Sequence, residues 1–201
     1  MSSGWRARAG KASLCAMVGA IAAAASGCAT TGGGTTASSG TTASVVAATG
    51  RQAFVAREEP RQLPELRFVD ADGRERTLAE FRGKGVLLNL WAPWCAPCRK
   101  EMPALERLAS QRGGPDFEVV ALSIDKKGMP AAAAFHEALG LNALEPYADT
   151  TRQAVYLLGP RGLPTTLLID AEGREVARAL GAREWDNPAV VSEIVQRLDL
   201  D

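Results

Sequence analysis

Residues 86–105 read Val-Leu-Leu-Asn-Leu-Trp-Ala-Pro-Trp-Cys-Ala-Pro-Cys-Arg-Lys-Glu-Met-Pro-Ala-Leu. The run from Val86 to Trp91 has the length and branched, apolar composition of a buried strand, and the pattern after Cys98 has helical spacing. A strand that hands over to a helix here puts Cys95 at the helix N-terminus. Unpaired backbone N–H groups and the helix dipole there favour a thiolate over a thiol. Cys95 is then the attacking sulfur. Cys98 comes one helical turn later, close enough to close a disulfide and release whatever Cys95 has captured.

Cys-x-x-Cys is also half of a structural zinc site, which needs two further Cys or His ligands. The chain has four cysteines and one histidine. Cys15 and Cys28 stand near the N-terminus ahead of a Gly/Ser/Thr-rich stretch, and His136 is alone. Redox chemistry therefore outweighs a metal site, and no metal or organic cofactor is implied. The formal net charge is zero, with no basic stripe and few aromatics, so nucleic acid is not an expected partner.

Trp91-Ala92-Pro93-Trp94-Cys95-Ala96-Pro97-Cys98, followed by Arg99 to Pro103, resembles the active-site segment of thioredoxin-fold proteins, in particular the membrane-tethered, extracytoplasmic TlpA/ResA type. A second motif, Gly162-Leu163-Pro164-Thr165-Thr166 running into Leu167 to Asp170, is similar to the segment whose proline is cis in that family. The resemblance covers about residues 58–198. It implies a thioredoxin-like α/β fold, a central mixed sheet with helices on both faces, plus an N-terminal hairpin and an extra central helix.

Residues 1–28 have the layout of a targeting segment. Arg6, Arg8 and Lys11 form a positive region, Ala12 to Ala25 an apolar one, and Ala25-Ser26-Gly27-Cys28 resembles a lipobox that would lipidate Cys28. The family pattern prefers Leu where Ala25 stands. The apolar run is shorter than the roughly 20 residues of a spanning helix, so cleavage is expected, with ordinary signal-peptidase sites in the Ala-rich run and an uncleaved anchor as the alternatives to lipidation. Residues 29–57 are rich in Gly, Thr, Ser and Ala and cannot offset their ordering entropy by burial, which predicts a flexible tether. The domain is expected over residues 58–201.

Within it, Leu66 to Val69 and Arg74 to Thr77 flank the turn sequence Asp70-Ala71-Asp72-Gly73. Leu78 to Phe81 suggests a helical turn. The active-site helix is expected to run to about Gln111 with Met102, Leu105, Leu108 and Ala109 inward. Phe117 to Ile124 reads as a strand, Pro130 to Leu139 as a helix closed by Gly140, and Thr150 to Leu158 as another helix. Thr165 to Asp170 and Val176 to Leu180 are strands about the turn at Ala171 to Gly173. Asn187-Pro188 opens a last helix with Val191, Ile194, Val195 and Leu198 inward.

The candidate catalytic residues are Cys95, Cys98 and Glu101, with Cys95–Cys98 the expected disulfide. Glu101 stands three residues after Cys98. If partly buried, its pKa rises into a range useful for taking the Cys98 proton; the alternative is a solvated helix face. The corresponding residue in ResA-type proteins modulates active-site protonation. Asn89 stands where thioredoxin has a buried Asp, which leaves Glu101 or water to move the proton. Trp94, Pro97, Leu163 and Pro164 are candidate substrate-binding residues. By resemblance Pro164 is cis and faces the cysteines, and the Leu163 backbone would pair with an extended substrate. Trp91 reads as core, His136 as non-catalytic, and Lys126-Lys127 as a solvated loop pair.

These readings imply a cell-envelope thiol–disulfide reductase, expected to be a monomer on a membrane tether. Its partners would be protein dithiols and disulfides and a membrane electron donor of the CcdA/DsbD type. Family substrates include apocytochrome c and copper-site cysteines. An oxidase or isomerase of folding proteins is the enzymatic alternative, and a non-catalytic binding or chaperone module is the other.

Overall fold

The computed structural model describes residues 54–200. The expected signal segment, the Cys28 lipidation site, Cys15 and nearly all of the tether lie outside these residues.

Strand β1 (Val55–Gln62) precedes the hairpin of β2 (Arg67–Val69) and β3 (Glu75–Thr77), which ends in a 3-10 turn at Leu78–Phe81. The hairpin turn follows from its residues. Gly73 supplies a positive φ of 76°, and the Asp70 carboxylate accepts from the backbone N–H groups of Asp72 and Arg74. Strand β4 (Gly85–Trp91) is buried along its whole length and leads into α1 (Ala96–Arg112). Then come β5 (Phe117–Ser123), α2 (Met129–Leu139), β6 (Tyr147–Ala148), α3 (Gln153–Leu158), β7 (Thr165–Ile169), β8 (Arg174–Leu180) and α4 (Pro188–Leu198). The β7–β8 turn repeats the hairpin solution: the Asp170 carboxylate accepts from Arg174 N, and Gly173 has φ 81°.

The strands form one mixed sheet in the order β1-β8-β7-β4-β5-β6-β2-β3. β4 and β5 run parallel, as do β5 and β6, and β7 is antiparallel to β4. Period-two alternation splits β4 between two cores. Leu87 and Trp91 join α1, α2 and α4 on one face, through Met102, Leu105, Leu108, Ala132, Val190 and Ile194. Val86, Leu88 and Leu90 join Phe68, Phe81, Ala154 and Leu158 on the other, under α3 and the hairpin. This is the thioredoxin-like arrangement, with helices on both faces of the sheet.

Two boundaries and one helix face are among the differences from the sequence reading. The tether was expected to extend to residue 57, yet β1 starts at Val55 and Phe54 is already buried. Phe54 packs against Trp185 at 6.0 Å beneath the Arg183 guanidinium, and β1 pairs with β8. Helix α3 begins at Gln153 rather than Thr150. The buried Asp149 carboxylate accepts from Thr151 N and Ala154 N, which holds residues 150–152 as a loop. On α4 the buried positions are Val190, Ile194 and Leu198, while Val191 and Val195 are half-buried.

Candidate active site

The end of β4 and the start of α1 build the dithiol. After Trp91 a tight turn forms in which Cys95 N donates to Ala92 O at 3.0 Å. Cys95 is the N-cap of α1 in extended conformation, and its Sγ accepts from Cys98 N at 3.2 Å. A helix N-terminal N–H aimed at sulfur favours negative charge on it when the pair is reduced. The Cys95 and Cys98 sulfurs are bonded at 2.04 Å. Cys95 keeps 5% of its surface exposed and Cys98 none.

Glu101 projects from the inner face of α1, one turn after Cys98, and is 3% exposed. The solvated-face alternative is thereby excluded. Its Oε1 accepts from Asn89 Nδ2 at 2.8 Å, and its Oε2 from Trp185 Nε1 at 2.8 Å and Arg183 N at 3.0 Å. Burial raises its pKa from 4.5 to about 7, although the three donors oppose the rise. Asn89 reaches it because residues 87, 89 and 91 of β4 share the face that α1 covers. The same amide donates to Thr166 Oγ1 on β7 at 2.9 Å.

Trp91 is buried against Phe135, whereas Trp94 is 68% exposed beside the cysteines. The Leu163–Pro164 peptide bond is cis. Pro164 is buried and its carbonyl accepts from Gly181 N at 2.8 Å, while Leu163 is half-buried. Trp94 and Leu163 line one groove of about 360 Å³, floored by Ile124, Val155 and Pro160. Pro97 is exposed on the first turn of α1 and is not part of that lining.

His136 is buried, with Nδ1 donating to Leu144 O at 3.1 Å, and burial lowers its pKa. It holds the loop after α2 and takes no place at the dithiol. Trp185, the Arg183 backbone and Thr166 complete the Glu101 network without a role in the sequence reading. Trp185 lies 84 residues beyond Glu101 in an aperiodic loop; only its bulk and its N–H, which needs a partner when buried, mark it in advance.

A strand-to-helix dithiol with a buried carboxyl behind it, on this sheet, defines a thiol–disulfide oxidoreductase. Residues 58–196 match the Redoxin family model. The chain belongs to that family, as a thioredoxin-fold enzyme of the TlpA/ResA type. It is 35% identical over 143 residues to the thiol-disulfide oxidoreductase ResA of Bacillus thuringiensis, covering 68% of this chain and 80% of the relative. It is 32% identical over 123 residues to ResA of Bacillus subtilis, covering 61% and 68%. Among solved structures, a putative thiol:disulfide interchange protein DsbE from Chlorobium tepidum matches with TM-score 0.62 and 28% identity, over 70% of this chain and 98% of that one. The pneumococcal exposed lipoprotein thioredoxin from Streptococcus pneumoniae matches with TM-score 0.57 and 27% identity, over 66% and 99%.

Proposed function

We propose that this oxidoreductase acts as a reductase of protein disulfides in the cell envelope, held to a membrane through a lipidated Cys28. The carrying observation is the Cys95–Cys98 pair at the head of α1 with the buried Glu101 carboxyl one turn behind Cys98. In the reductive direction the Cys95 thiolate attacks one sulfur of a substrate disulfide. That bond breaks, a mixed disulfide forms, and the other substrate sulfur leaves as a thiolate that takes a proton from water. Glu101 accepts the Cys98 proton, and the Cys98 thiolate attacks Cys95 Sγ. The first substrate sulfur departs reduced, and two electrons have passed from the cysteine pair to the substrate.

The direction is the proposed part, because proteins of this fold span roughly 150 mV in potential on one Cys-x-x-Cys frame. Trp94, Leu163 and Pro164 are the proposed substrate contacts, with Pro97 at the edge of the same surface. Apocytochrome c or copper-site cysteines are the proposed substrates, and a membrane thiol-transfer protein of the CcdA/DsbD type the electron source. The domain is proposed to work as a monomer.

The lipobox-like segment and the similarity to the exposed lipoprotein thioredoxin of Streptococcus pneumoniae support the location. Among the described residues no helix is long and apolar enough to cross a membrane, so on this reading anchoring rests with residues 1–28 and a tether over residues 29–53. Cys98→Ser should accumulate a mixed disulfide through Cys95, and Cys95→Ser should abolish exchange. Activity retained in Cys95→Ser would favour the binding-module alternative. Mass spectrometry of membrane-extracted protein should find a lipidated Cys28 as first residue; an intact residue 1–28 segment or a soluble, unmodified N-terminus would reject lipidation.

A further inference from the structure

The groove beside the dithiol carries a charge pattern that neither disulfide exchange nor the fold requires. Its floor is apolar, from Ile124, Val155, Pro160 and Leu163, and Trp94 stands at one side. Its remaining lining includes Lys126, Lys127 and Arg152 against a single acid, Asp125. The chain as a whole is neutral, so this excess of positive charge is local. Lys126, Lys127 and Arg152 have no ion-pair partner among the described residues.

Two loops hold these cations together. After β5, Asp125 is 7% exposed and its Oδ1 accepts from Lys127 N at 2.7 Å, which spends the one acid on shaping the turn. Before α3, Arg152 sits in the left-handed region at φ 62°, an uncommon conformation for a side chain larger than glycine's. The Asp149 carboxylate on one side, bonded to Thr151 N and Ala154 N, over-determines that conformation. The loops meet at Gly128, where a Cβ would lie 3.1 Å from Thr150 Cγ2. The cations thus line the same groove as its apolar residues and the exposed Trp94.

We propose that this groove selects disulfides carried on extended segments with acidic side chains beside the cysteine, the apolar floor taking the segment and Lys126, Lys127 and Arg152 reading its charge. The inference rests on the reductase reading and names a substrate class for that site. Complementary charge acts mainly on encounter rate and is screened by salt.

The test uses the reduced full chain and three peptide disulfides of one length, with Asp, Ser or Lys flanking the cysteine. Exchange rates should favour the Asp peptide over the Lys peptide by about tenfold or more at low ionic strength, and the ratio should shrink toward one as salt rises. In the double variant Lys126→Glu with Lys127→Glu the ratio should invert, and with both changed to Gln it should fall between. The ratio is taken within each variant, so a general change in reactivity cancels, and an unchanged melting temperature reports the fold. Equal rates for the Asp and Lys peptides, or a preference that survives the double reversal, overturns charge selection while leaving disulfide exchange standing. Failure to exchange with the Ser peptide as well overturns the oxidoreductase reading beneath it.

Discussion

At the scale of single residues, the site turns on the inequality of two cysteines and the burial of one carboxyl. Cys95 has the N-terminal N–H of Cys98 on its sulfur and the greater solvent access of the pair, so it is proposed as the thiol that ionises first. Alkylation of the reduced protein at mildly acidic pH should label Cys95 before Cys98; the reverse order would exchange their roles. Glu101 gives a pH signature with a definite sign. In the folded protein its pKa is about 7 against 4.5 for the free group, so between these values the folded chain holds a proton that the unfolded chain has lost. Stability of the oxidised protein should therefore fall as pH rises from about 4.5 through 7, by roughly 3 kcal/mol at about 1.4 kcal/mol per unit. Glu101→Gln should flatten that slope in denaturation curves and remove the inflection near neutrality from the resolving step. An unchanged slope would mean that Glu101 titrates as a solvated acid.

At the scale of elements, what the sequence discloses depends on whether a segment's partners are near it in the chain. β4 and α1 carry their own periodicity, and the observed bounds, Gly85–Trp91 and Ala96–Arg112, lie within a residue of those expected. β1 carries none. All but one of its residues are exposed, because it is an edge strand held by backbone pairing to β8, more than 100 residues away. α3 starts three residues later than its sequence suggests because the Asp149 side chain competes with the helix for the N–H groups that follow it. At the site, the cysteine pair was legible from spacing, whereas Trp185 and Arg183 reach Glu101 from a loop with no pattern to read. The unforeseen β1 has a measurable weight. Phe54 is 4% exposed on Trp185, so Phe54→Ala should cost about 3 kcal/mol in chemical denaturation. A chain begun at residue 58 should be destabilised as much. Wild-type stability in either would show that Phe54 and the first residues of β1 are an ornament of the edge.

At the scale of the whole molecule, one sheet divides two kinds of work. On one face α1, α2 and α4 bury Cys98 and Glu101. On the other, α3 and the N-terminal hairpin close a second core that includes no member of the dithiol network. Substrate is proposed to meet the molecule where β4, β5 and β7 present their adjoining loops, with Trp94, the Lys126-Lys127 loop and Leu163 around a single groove. That arrangement makes an oxidoreductase; reduction is its proposed direction. The reduction potential of the Cys95–Cys98 couple, from equilibration with glutathione and quantitation of both forms, tests this most directly. The account predicts a reversible two-electron couple below about −200 mV, whereas a value near the roughly −120 mV of a strong oxidant, or a pair that does not equilibrate, would contradict it.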